Sequence, residues 1–259
     1  MSVSLSSAAA TTTMEDLSNM VAKAAKQARG TNKVTAMSLA RLNVANMKLH
    51  GREDDMKVLE SKLLDLKNND DNSSSKKLPE LVLISGVSGT GKSALVMRGL
   101  RDPSTKMGTA FAGGKFDLNN AALPLSAFID ATSALTKHVI EGGMGDEIQS
   151  DINATFAEED MILLVKALPG CEALLPIQKD DELKKNRRLS GKEAVSRLQY
   201  AIRKLLKIIC TNLKGAVLFI DDLQWADTTT LDLLKSIALD GDMPSLLIVG
   251  AYREDEVPE

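Results

Sequence analysis

Cysteine is scarce: Cys171 and Cys210 are the only two in 259 residues, far apart, with no CxxC spacing and no neighbouring histidine. This excludes a disulfide framework and a cysteine-based metal site, and fits an intracellular, reducing compartment. Charge of one sign is also lacking, since 32 Lys and Arg face 35 Asp and Glu for a net charge of −3, so nothing in the balance calls for nucleic acid. No apolar run approaches the roughly 20 residues that span a bilayer. The start, MSVSLSSAAATTT, has neither a basic segment nor a sustained apolar core, so it does not read as a secretory signal. Its Ser, Thr and Ala content suits an organelle transit peptide, but Glu15 and Asp16 come early for one. What is present is 44% hydrophobic residues in a chain long enough for one or two globular domains, with a cytoplasmic or nuclear address as the expectation.

The chain is organised around residues 81–96, LVLISGVSGTGKSALV, where an apolar run breaks into a glycine-rich loop and restarts with helical spacing. Gly86, Val87, Ser88, Gly89, Thr90, Gly91, Lys92 and Ser93 fit G-x-x-x-x-G-K-[ST], a phosphate-binding loop in its expected place between strand and helix. The glycines admit positive φ and let backbone N–H groups converge on phosphate oxygens, helped by the positive end of the following helix. In such a loop Lys92 reaches the β- and γ-phosphates and the Ser93 hydroxyl binds Mg²⁺.

The second motif is AVLFIDDLQWAD, residues 216–227. A continuous apolar run suits a central parallel strand buried on both faces. The two aspartates at its end form the Walker B pattern, with Asp221 as the Mg²⁺ carboxylate and Asp222 as the group that polarises the attacking water. Asp227 reads as the N-cap of the helix through Leu231, Leu234 and Ile237, and Trp225 as a packing residue without chemistry. A last strand near 245–251 is followed by Arg253, which reads either as a sensor of the γ-phosphate or as an arginine paired with Glu254 or Asp255.

Between these landmarks, residues 1–13 read as disordered. Residues 14–48 carry helical signals, including a stripe of Leu17, Met20, Val21 and Ala24. Gly51 and Arg52 feed a helix marked by Met56, Leu59 and Leu63, and Asn68 to Lys77 is a polar loop. The helix after the phosphate loop should stop near Asp102-Pro103, since proline disfavours continuation. A second strand is expected at 109–117, then helices near 124–141, 147–168 and 190–211, the last opened by a Ser190/Glu193 capping box. Its apolar face runs through Ala194, Val195, Leu198, Ala201, Ile202, Leu205, Leu206 and Ile209. Its other face carries Arg197, Arg203, Lys204 and Lys207, which with Lys184, Lys185, Arg187 and Arg188 read as solvated charge or as a nuclear-localisation or polyanion patch.

HGRED, GVSGTGKSALV, GKFD, VLFIDDLQWAD and LLIVGAYREDEV, in that order, resemble the AAA ATPase domain of the origin-recognition-like type found in multidomain signalling proteins, within the wider group of STAND-like P-loop NTPases. The resemblance covers residues 49 to the end. It implies an α/β three-layer sandwich with a mostly parallel sheet and helical elaboration between the second and third strands. The implied division is a tail over 1–47 and the ATPase domain over 48–259, whose last strand and helical lid the sequence does not show. It implies ATP and Mg²⁺ as ligands, Gly51 and Arg52 near the adenine, Asp221 and Asp222 at Mg²⁺ and water, and Arg253 as the sensor arginine. Consistent with ATP, the guanine-reading N-K-x-D of GTPases is missing: Asn32-Lys33 lies upstream of the loop with no Asp after it. Asp55 and Asp222 stand where the family commonly has glutamate, and the shorter Asp222 implies slow turnover. Self-association or a protein partner is open, DNA association is the alternative for this type of domain, and a non-hydrolysing scaffold is a third reading.

Overall fold

A computed structural model describes residues 5–7, 51–68, 79–116, 124–168, 170–175, 191–213, 215–243 and 246–257, with the backbone alone for 5–7 and 191–192. The apolar stripe at 17–24, most of the 68–77 loop, Ser190 and the Lys/Arg cluster at 184–188 lie outside these residues.

The three apolar runs form the strands the sequence predicts: β2 (Glu80–Ile84), β4 (Ala216–Asp221) and β5 (Leu246–Ala251), with β3 (Ala110–Lys115) as the fourth. A short strand β1 (Leu5–Ser7) pairs antiparallel with β2, where the sequence suggested no order. The sheet order is β1-β2-β5-β4-β3, and the last four strands are parallel. In β4 and β5 every residue is buried, whereas β3, at the sheet edge, alternates between buried and more exposed positions.

Because successive side chains point to opposite faces of a strand, each buried strand feeds two separate cores. Val82, Ile84, Val217, Phe219, Leu247 and Val249 pack with Leu59, Leu63, Leu95, Val96 and Leu100 on one face. Leu81, Leu83, Leu218, Ile220, Leu246 and Ile248 pack with Phe128, Leu135, Leu205, Ile209 and Leu234 on the other. Helix α1 (Glu53–Lys67) and the helix after the phosphate loop cover the first face. Helices α4 (Ser126–Glu141), α7 (Gly191–Asn212) and α8 (Thr228–Ala238) cover the second. The result is an α/β/α three-layer sandwich, and the elaboration between the second and third parallel strands comprises α4, α5 (Gly145–Thr155), α6 (Glu158–Ala167) and α7.

Two helix boundaries differ from expectation. The helix entering at Lys92 does not stop at Pro103. Helix α2 (Lys92–Val96) widens into a π turn at Met97–Arg101 and resumes as α3 (Asp102–Met107), ending on left-handed Gly108. The π turn restarts the hydrogen-bond ladder, so Pro103 falls in a first turn, where its missing N–H costs nothing. The stretch predicted as one helix over 147–168 breaks where Phe156 and Ala157 turn extended, giving α5 and α6.

The basic residues on this face of α7 have partners within the domain, acidic ones for three of them. Arg197 pairs with Asp160 and Glu159, Arg203 with Asp240 and Lys207 with Asp242, while Lys204 donates to the Thr155 carbonyl. For the α7 half of the basic set this matches locally paired charge; the half at 184–188 lies outside the described residues. Ala201, Ile202, Leu205, Leu206 and Ile209 are buried as expected, but Ala194, Val195 and Leu198 in the first turns are only half-buried.

Candidate functional site

Parallel strands end on the same side of a sheet, so the order β2-β5-β4-β3 lines up four carboxyl ends: Ser85-Gly86, Tyr252-Arg253, Asp221-Asp222 and Lys115-Phe116. Ligands of open α/β sheets bind along this edge.

Gly86, Gly89 and Gly91 have φ of 149°, 80° and 80°, conformations that side chains rarely adopt. Val87, Ser88 and Gly89 form an exposed crest, and a Cβ built at Gly89 meets nothing within 4 Å. Lys92, at the start of α2, is 8% exposed and folds back inside the loop, its Nζ donating to Gly86 O at 2.6 Å and Val87 O at 2.9 Å. Burial, together with the nearby Arg253 charge, pushes its pKa below the usual lysine value. From outside, Arg52 clamps the loop: its guanidinium donates to Thr90 O at 2.6 Å and to Asp55 Oδ2 at 3.1 Å. Gly51, at φ 74°, makes the turn that delivers Arg52. Asp55, the departure from the usual glutamate, thus holds the arginine that holds the loop.

Ser93 Oγ donates to Asp221 Oδ2 at 2.8 Å, joining the phosphate-loop helix to the end of β4. Asp221 is 3% exposed, and burial first, then the adjacent Asp222 charge, raises its pKa above the normal aspartate value. A buried carboxylate beside a hydroxyl is an all-oxygen donor set of the kind Mg²⁺ takes, and a lysine inside a glycine-lined loop suits phosphate. The residues present therefore fit a magnesium nucleotide.

Asp222 sits in the left-handed region at φ 55° and ψ 45°. Both of its oxygens are engaged. Oδ1 accepts from Gln224 Nε2 at 3.2 Å and has Arg253 Nε at 3.4 Å. Oδ2 has the Lys115 ammonium at 2.9 Å, an ion pair too bent to count as a hydrogen bond. Lys115 also stands 3.9 Å from Asp221 Oδ2, because the β3–β4 register places Lys115 opposite Asp221.

Arg253 does not pair with Glu254 or Asp255. Its Nη1 donates to Glu256 Oε1 at 2.6 Å, and its guanidinium lies 5.2 Å from the centre of the Trp225 ring. Trp225 is half-buried, so it packs as expected but also serves as the platform for a site arginine, a cation–π contact that the packing reading missed. Asp227 caps α8 as predicted. Its Oδ1 accepts from Thr230 N–H at 3.0 Å, while Oδ2 accepts from the Thr230 hydroxyl at 2.5 Å and from Leu125 N–H at 3.3 Å.

Three residues at the site escaped the sequence reading as individuals: Lys115, Gln224 and Glu256. All three stand inside motifs, GKFD, DLQWAD and LLIVGAYREDEV, so the motifs held the signal, but their partners are set by tertiary structure.

The AAA ATPase domain family model matches residues 48–249. Among curated proteins, the hybrid signal transduction histidine kinase G of Dictyostelium discoideum is 27% identical over 162 residues, covering 62% of this chain and 4% of that protein. The phosphate loop, the paired aspartates and all of the parallel sheet but the last two residues of β5 fall within the matched span, and the chain belongs to the AAA ATPase domain family.

Proposed function

We propose that this chain binds ATP with Mg²⁺, hydrolyses it slowly, and works as a nucleotide-gated regulatory module. The observation that carries the reading is the Ser93–Asp221 hydrogen bond at 2.8 Å, which puts the phosphate loop and the strand-end carboxylates into one site. Ser93 and Asp221 would hold Mg²⁺, which when bound neutralises charge on the phosphate oxygens. Lys92 carries the cation for the β- and γ-phosphates, and the loop N–H groups and the α2 N-terminus orient them. Asp222 takes up the proton of the attacking water, and Arg253 meets the charge developing on the γ-phosphate. Gly51 and Arg52 fix the adenine side of the loop.

Slow turnover follows from the state of Asp222. To serve as base it must give up part of its pairing with Lys115 and Arg253, and as an aspartate it reaches one methylene less than a glutamate. The regulatory role draws support from the relative's printed name, a signal transduction kinase of which this chain matches only a small part. The paired charges on α7 speak against DNA as the partner.

Binding of a fluorescent ATP analogue with Mg²⁺ tests the reading. Lys92→Ala should abolish it, and GTP should compete less well than ATP; binding unchanged by the substitution refutes the proposal. The engagement of both Asp222 oxygens also favours a second reading, a scaffold that binds without hydrolysis. Phosphate release no faster than from Asp222→Asn would select the scaffold.

A further inference from the structure

Gln224 has a role that the loop and the metal-side carboxylate do not account for. It lies in the short turn Leu223–Trp225 after β4 and is 3% exposed. A buried amide has to find its hydrogen-bond partners inside the protein. Gln224 finds all of them at the site. Its Nε2 donates to Asp222 Oδ1 at 3.2 Å and to Glu256 Oε2 at 3.1 Å, and its Oε1 accepts from the Arg253 N–H at 3.1 Å. Arg253 closes the ring through Glu256 Oε1 at 2.6 Å and Asp222 Oδ1 at 3.4 Å.

This ring joins two segments of different origin: the turn after β4, which carries Asp222, and the turn after β5, which carries Arg253 and Glu256. A leucine or methionine would fill the same volume, but it would leave the Arg253 N–H and one Glu256 oxygen without their partner. Burial alone therefore does not explain an amide here.

We propose that Gln224 is a positioning residue for the water-activating carboxylate, tying Asp222 Oδ1 to the 252–256 turn so that a movement of Arg253 or Glu256 is passed to Asp222. The inference rests on the reading of Asp222 as the hydrolytic base. Two consequences separate it from a packing role. No hydrogen bond of Gln224 goes to the phosphate loop, Lys92 or Ser93, so its loss acts on kcat and spares nucleotide affinity. Its action also runs partly through Glu256, so the two residues are not independent.

The test uses the full chain as wild type, Asp222→Asn, Gln224→Met, Glu256→Ala and the Gln224→Met/Glu256→Ala double variant. Each is measured for phosphate release with MgATP, for affinity toward a fluorescent ATP analogue, and for thermal unfolding without nucleotide or metal. Gln224→Met is expected to lower kcat about ten-fold or more, as misaiming a catalytic group by a fraction of an ångström does, while affinity stays within about two-fold. The double variant is expected to match Gln224→Met alone in kcat, and its unfolding midpoint should depart from the sum of the single shifts. If wild type is no faster than Asp222→Asn, the hydrolytic reading fails and this inference falls with it. If wild type is faster but Gln224→Met keeps its kcat, loses kcat and affinity in step, or combines multiplicatively with Glu256→Ala, the inference alone is overturned. Should Gln224→Met not fold, the more exposed Glu256→Ala decides: lowered kcat at unchanged affinity supports the inference, and wild-type kcat overturns it.

Discussion

Two adjacent glycines in β3 should respond to the same substitution with opposite signs. A Cβ at Gly114 would lie 1.8 Å from the Ala127 carbonyl oxygen and 2.7 Å from its carbon, at the start of α4. Close carbon–oxygen contacts settle at about 3.3–3.6 Å, so strand and helix would have to separate by roughly 1.5 Å. The obstruction is backbone, which no rotamer change relieves. Gly114→Ala should therefore reach the upper range of overpacking, about 3 kcal/mol. For a domain of this size that lowers Tm by roughly 6–12 °C. At Gly113 the nearest atom to the new Cβ is Phe219 Cδ1 at 3.6 Å, an ordinary contact. There the main effect is a less flexible unfolded chain, which favours Gly113→Ala by about 0.4–1 kcal/mol. Thermal and urea unfolding of the two variants beside wild type measures both. A Gly114→Ala protein within about 0.5 kcal/mol of wild type, or equal losses at both positions, would refute the close-approach reasoning.

Asp227→Ala removes the α8 cap and leaves the Leu125 N–H with only the Thr230 hydroxyl as partner, and should cost about 1–2 kcal/mol in urea unfolding, with Asp227→Asn losing far less. Arg52→Ala frees the Thr90 carbonyl from its clamp, and should weaken nucleotide binding about ten-fold with little change in Tm, read by titration of a fluorescent nucleotide. The raised Asp221 pKa gives a pH signature. Above the ordinary aspartate value of 3.8, the folded chain holds this proton more tightly than the unfolded one, so the Asp221 contribution to stability falls as pH rises through that window. In metal-free buffer, Asp221→Asn should therefore gain stability over wild type as pH climbs above the ordinary aspartate value; a difference that stays constant as pH rises would count against it.

The sheet was readable because LVLI, AVLFI and LLIVG are short, unbroken and apolar, and only strands with both faces covered tolerate that pattern. The phosphate loop was readable because its glycines serve a local backbone geometry. Other features depend on contacts distant in sequence. Pro103 looks like a helix terminator until the π turn at Met97–Arg101 resets the ladder around it. The break at Phe156 falls within an apolar pattern that reads as helix throughout. Lys115 meets Asp222 only through the β3–β4 register, and Arg253 pairs with Glu256 rather than with its immediate acidic neighbours, while its backbone N–H is held by Gln224. Trp225 shows the limit of residue statistics: half of its role is the packing that they predict, and the other half is the cation it happens to face.

The left-handed backbone at Asp222 sets stability against the proposed role of its carboxylate at one residue. That conformation costs a non-glycine residue roughly 1 kcal/mol or more, and it is the turn that brings the carboxylate back among Lys115, Gln224 and Arg253. Glycine would relax the turn and, in the same step, remove the carboxylate proposed above as the base. Asparagine keeps both the turn and the shape but discards the charge. On the proposed mechanism, selection for thermal robustness alone would thus drift toward a silent protein at this position. A screen that scores survival of heat together with retention of phosphate release would hold aspartate in place and direct its stabilising changes elsewhere.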